Sequence, residues 1–150
     1  MSARDNGATP ETATIRMLIG GEWREGEQFE DVRDPYRGNV VAQAPISSSR
    51  DCNDALEAAY KAKKVMAAMP GYERAALLRR AGDNLFERAE TIGRAMSRES
   101  GKAIRDAVFE VQRAADTLRL YAQEAIRIQG EHVPMDGSAI GAGKIGMVMR

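Results

Sequence analysis

Apolar residues recur at alternating spacings of four and three along Ile104, Val108, Val111, Ala115, Leu118, Ala122 and Ala125, which is one face of an α-helix. Leu78, Ala81, Leu85, Ala89, Ile92 and Met96 form a similar stripe just before it. Together they predict two long helices, over about 72–99 and 102–129, broken at Ser100-Gly101 and packed side by side. A third stripe, Cys52, Leu56, Ala59, Ala62 and Met66, predicts a helix over about 50–68. Ser48 with Asp51 three residues on would open that helix as a capping box, and Pro70 would close it. Upstream, Met17-Leu18-Ile19, a Gly20-Gly21 turn and Trp23 predict a short hairpin. Glu27 to Val32 and Asn39 to Ala44 are further strands, separated by turn residues from Asp34 to Gly38, the latter strand stopping before Pro45. Residues 1–16 are unpatterned and short of apolar side chains, which predicts a disordered tail. After Gly130 a glycine-rich loop leads to a last strand with Ile145, Met147 and Met149 on one side. That strand runs to the final residue, as if the domain were cut rather than finished.

Composition qualifies this picture. A chain of 150 residues can bury a core, but aromatics are 5% and the stripes lean on Ala, so each helix offers a shallow face that needs further cover. Lys+Arg and Asp+Glu are both 22, so no net field draws nucleic acid or an anionic membrane. The charges on the outer helix faces, Arg98 among them, are expected to be solvated, with Glu90–Arg94 and Glu110–Arg113 as helical pairs. The one cysteine, Cys52, and the one histidine, His132, exclude an intrachain disulfide and a Cys/His zinc cluster. Cys52 on its stripe is expected as a small buried hydrophobe, a reactive thiol being the alternative. His132 beside Pro134 is expected at a surface turn. No apolar run approaches the roughly 20 residues of a membrane span, and the start is unlike a signal peptide, so a cytoplasmic protein is expected.

Gly141, Gly143 and Gly146 match the G-x-G-x-x-G spacing of dinucleotide-binding turns. That chemistry needs a strand before the glycines and a helix after them, whose N-terminal N–H groups meet the pyrophosphate. Here a polar loop precedes them and extended sequence follows. Lys144 is not a phosphate-loop lysine either, since Ile145 stands where a hydroxyl residue is needed.

Ile19-Gly20-Gly21-Glu22-Trp23, Asp34-Pro35, the Ala-rich helix with Ala55, Ala58, Ala59 and Ala62, Glu73-Arg74 with Leu77-Leu78-Arg79-Arg80, and Glu99-Ser100-Gly101-Lys102 strike a common note. In that order and spacing they resemble the N-terminal portion of the aldehyde dehydrogenase superfamily. Arg113-Ala114-Ala115, Tyr121-Ala122, Val133-Pro134 and Met149-Arg150 extend the likeness. One departure is Gly71-Tyr72, where the family more often has a capping Ser.

The resemblance implies an α/β, aldehyde dehydrogenase-like fold. Residues 17–130 would be the N-terminal helical part of the NAD(P)-binding domain, and 131–150 the start of the oligomerisation arm. It implies oxidation of an aldehyde to a carboxylate with NAD or NADP, through a cysteine nucleophile, an oxyanion site and a glutamate-activated water. The family's catalytic and cofactor-binding residues would follow Arg150, so none is assigned here, Cys52 included, and the isolated chain is expected to be inactive. In some members a monovalent cation lies between backbone carbonyls and an acid that would correspond to Val32, Arg33 and Glu99. The alternative for Glu99 is a solvated helix-end acid. A homo-dimer or homo-tetramer of the longer enzyme is implied, paired through the last strand. The rival reading is a complete, non-catalytic helical interaction module using the hairpin's Ala-rich face.

Overall fold

A computed structural model describes residues 13–149; the part of the expected tail before residue 13, and Arg150, lie outside the described residues. In chain order the elements are β1 Ala13–Thr14, β2 Met17–Ile19, β3 Glu22–Arg24, β4 Gln28–Arg33, β5 Val40–Ile46, α1 Ser49–Ala68, α2 Gly71–Glu87, α3 Ala89–Ser100, α4 Ile104–Ala125, β6 Glu131–Pro134 and β7 Ile145–Val148. The described residues form two compact units: one takes those up to Ala68 with Glu87–Gln112, the other Met69–Phe86 with those from Arg113 on.

In the first unit β5 lies between β1, parallel to it, and β4, antiparallel. The strand at Ala13–Thr14 corrects the expectation of a tail through residue 16. Backbone pairing with Ala42 and Gln43, plus the Ile15 N–H donated to Gln43 O at 2.9 Å, orders a stretch that has little to bury. A second correction is that β5 runs through Pro45 to Ile46. Gln43 turns its carbonyl to β1, so Pro45 two residues on presents its missing N–H to the same edge, past the end of β1, where no ladder bond is lost. The β2–β3 hairpin turns on Gly20 and Gly21 at φ 61° and 89°, both in the left-handed region that a tight two-residue turn requires.

Ser48 and Asp51 form the expected capping box at α1. Asp51 Oδ2 accepts from Ser48 N–H at 2.9 Å and Ser48 Oγ–H at 2.6 Å, and Ser48 Oγ accepts from Asp51 N–H at 3.2 Å. The stripe of α1, by contrast, is uncovered: no residue of this helix is buried, and Leu56 is 69% exposed. Cys52, expected as a buried hydrophobe, is exposed for the same reason. Periodicity marks the face that cover would take, and says nothing about whether the cover is at hand.

The helix expected over 72–99 is two helices, divided at Arg88, whose φ of −98° and ψ of 10° leave the helical region. No Gly or Pro marks the turn, and Arg88 O at once accepts from Ile92 N–H at 3.0 Å to start α3. Each helix is held to its own stretch of α4 by a glycine. In the first unit, Gly93 of α3 packs so closely on α4 that a Cβ there would lie 2.6 Å from Val108 Cγ2. In the second, a Cβ on Gly82 of α2 would stand 3.0 Å from Ala115 O. There Ala75, Ala122 and Ala125 form a small core with Leu78 against it, so two predicted stripes do meet. α4 stops at Ala125 rather than 129 because its last turn tightens, Arg127 N–H donating to Glu124 O at 2.9 Å.

Candidate functional site

The most constrained polar group of the first unit is Asp34, 9% exposed, in the turn between β4 and β5. Its Oδ1 accepts from Tyr36 N–H at 2.8 Å and Arg37 N–H at 3.1 Å. Its own N–H donates to Asn39 O at 3.0 Å, and its carbonyl accepts from Gly38 N–H at 2.8 Å. The N–H donors of Arg37 and Tyr36 hold the Asp34 carboxyl below the usual carboxylate range against the opposing effect of burial, and the charges of Arg37 and Arg98 add to them.

α3 packs against β4, and its C-terminal turn reaches this corner. Gly101 ends the helix at φ 74°, with its N–H donated to Ser97 O at 2.9 Å. A Cβ on Gly101 would lie 2.9 Å from Pro35 Cγ. Arg98, one turn earlier, is half-buried, and its Nη2 is covered without a hydrogen-bond partner. Its expected place on a solvated face is thus corrected in part, since one end of its guanidinium is covered.

Val32 and Arg33 end β4, with a slip in the β4–β5 register between them that interrupts the ladder. Val32 is half-buried; Arg33 is exposed, its guanidinium donating to Asp31 Oδ2 at 2.7 Å and Gly38 O at 3.2 Å. Glu99 is exposed in the last turn of α3. These three residues therefore fall at the neighbouring ends of β4 and α3, and among the described residues no cluster of His, Cys, Asp and Glu is built for a metal ion.

A second feature of this unit is an open groove of about 820 Å³ between the β2–β3 hairpin and α1. Gly20 sits 3.6 Å, by its would-be Cβ, from Ala58 Cβ, and Arg24 Nη1 bridges to Asp54 Oδ2 at 2.7 Å along one wall. In the second unit Arg119 joins Asp83 Oδ1 at 2.8 Å and Asp116 Oδ1 at 3.0 Å, with its guanidinium 5.1 Å from the Phe86 ring centre. Of the expected helical pairs, Arg94 meets Glu90 at 3.5 Å, while Glu110 pairs with Lys102 across the 101–103 loop.

Gly141, Gly143 and Gly146 lie in successive turns and in β7, and a strand follows them instead of a helix. His132 is exposed in β6 opposite Met147, in a strand rather than a turn. β6 and β7 make a two-stranded sheet with Ile145 and Met147 about three-quarters exposed, at 74% and 75%. No described helix is long and apolar enough to cross a membrane.

Short strands leading into Ala-rich helices, an Asx-Pro turn against a helix ended by Gly-Lys, and a closing hairpin make up the N-terminal portion of an α/β dehydrogenase fold. The aldehyde dehydrogenase family model matches residues 23–150, and the chain belongs to that family. Over 120 residues it is 37% identical to a 4-(hydroxymethyl)benzenesulfonate dehydrogenase of Comamonas testosteroni, covering 79% of this chain and 25% of that protein. Among solved structures it superposes on aldehyde dehydrogenase 21 from Physcomitrella patens, in complex with the reaction product succinate. The TM-score is 0.86 at 37% identity, over 92% of this chain and 29% of the other. An NADP-dependent glyceraldehyde-3-phosphate dehydrogenase from Bacillus halodurans C-125, complexed with NADP, gives 0.82 at 34% identity, over 91% and 29%. The chain thus spans about a quarter (25%) of the length of the curated relatives it matches.

Proposed function

We propose that this chain is the N-terminal scaffold of an enzyme that oxidises an aldehyde to a carboxylate with NAD or NADP. The observation that carries the reading is the family match through residues 23–150 together with a superposition covering 92% of the chain. In the whole reaction an aldehyde, water and the oxidised nicotinamide give a carboxylate, the reduced nicotinamide and protons. The nicotinamide supplies the hydride acceptor when bound. The glycine triad of this chain does not fit a dinucleotide, because it leads into β7 where the pyrophosphate needs the N-terminus of a helix. No chemical step is therefore assigned to them, and Cys52, exposed on α1, is not given the nucleophile's role.

In this reading residues 17–130 brace the nucleotide-binding domain, and 131–150 begin an arm that pairs with a second copy. The open edges of the β6–β7 hairpin and its exposed Ile145, Met147 and Met149 support such pairing. In the same reading the backbone carbonyls of Val32 and Arg33 and the carboxylate of Glu99 would hold a monovalent cation, for which hard oxygen ligands are suited.

The test is aldehyde-dependent formation of NADH or NADPH by the 150-residue chain and by a longer protein that continues it through the rest of the family fold. The longer protein should turn over and the shorter should not. Turnover by the shorter chain that persists in Cys52→Ala would overturn the scaffold reading, and an inactive longer protein would overturn the dehydrogenase reading.

A further inference from the structure

We draw no further inference here: the strongest candidate, the open groove between the β2–β3 hairpin and α1 lined by Gly20, Ala55, Ala58 and Ala62, pairs Arg24 with Asp54 and Lys61 with Glu57 along its walls, and nothing in the structure shows what covers it.

Discussion

At the scale of single residues, the polar caps carry the clearest consequences. The Asp51 carboxyl is held below the usual range by the Ser48 hydroxyl and then the Ser48 N–H, with Arg24 and Arg50 adding and burial opposing. A carboxyl whose pKa is lower folded than unfolded stabilises the fold above its unfolded value, near 3.8, and loses that contribution as pH falls through the folded one. Helicity of α1 should therefore hold through neutral pH and decline below about 3.8, and Asp51→Asn should flatten that acid limb in melts followed by circular dichroism. Ser48→Ala should cost about 1 kcal/mol at neutral pH, the usual loss for a hydroxyl cap. This cap was legible in the sequence because its partners are three residues apart, and hydrogen bonds at that range are set by local backbone geometry. The close approach of Gly101 to Pro35 was not, because the two are far apart in the chain and meet only when α3 settles on β4.

At the scale of elements, close approach is the common device. Of the glycines within the described helices, Gly93 makes the closest approach, with would-be Cβ distances of 2.6 Å to Val108 Cγ2 and 2.9 Å to its backbone Cα and N. Ala is the better helix former by about 1 kcal/mol. At this position the gain is outweighed, because the Cβ would strike backbone that cannot swing aside. Gly93→Ala should lower stability by roughly 1–3 kcal/mol, measured by urea unfolding, as overpacking does. A variant as stable as the wild type would show that α3 is free to move off α4. The stripes announced that helices would pair but not where one of them would turn. Arg88 has no sequence mark because the break follows from two separate docking contacts, Gly82 at Ala115 and Gly93 at Val108, which impose their own registers on α2 and α3.

For the whole molecule, the main physical fact is how much apolar surface stays open. Leu56, Tyr60 and Val65 of α1 are 65–73% exposed and Met147 and Met149 are 75% and 88% exposed, whereas the buried residues are mostly alanines. Apolar side chains left in water contribute nothing to folding and attract other surfaces. The 150-residue chain should bind an apolar dye strongly and melt over a broad range, and the longer family-length protein should bind little and melt sharply. A sharp, concentration-independent melt with weak dye binding by the shorter chain would favour the self-contained interaction module instead.

By itself the sequence determined the local matters: the Gly20-Gly21 hairpin, the Ser48 cap, the Gly101 stop, the faces on which α2 and α4 meet, and the family motifs in their order. Each depends on neighbours within a turn or two of the chain, where residue type and spacing dictate backbone geometry. Only the tertiary structure decided that Ala13–Thr14 is a strand, that β5 continues past Pro45, that α2 and α3 part at Arg88, and that Arg98 is half-buried at the end of α3. Those outcomes depend on which distant backbone or charge is brought alongside, and a one-dimensional pattern of apolar and polar residues does not encode that distance.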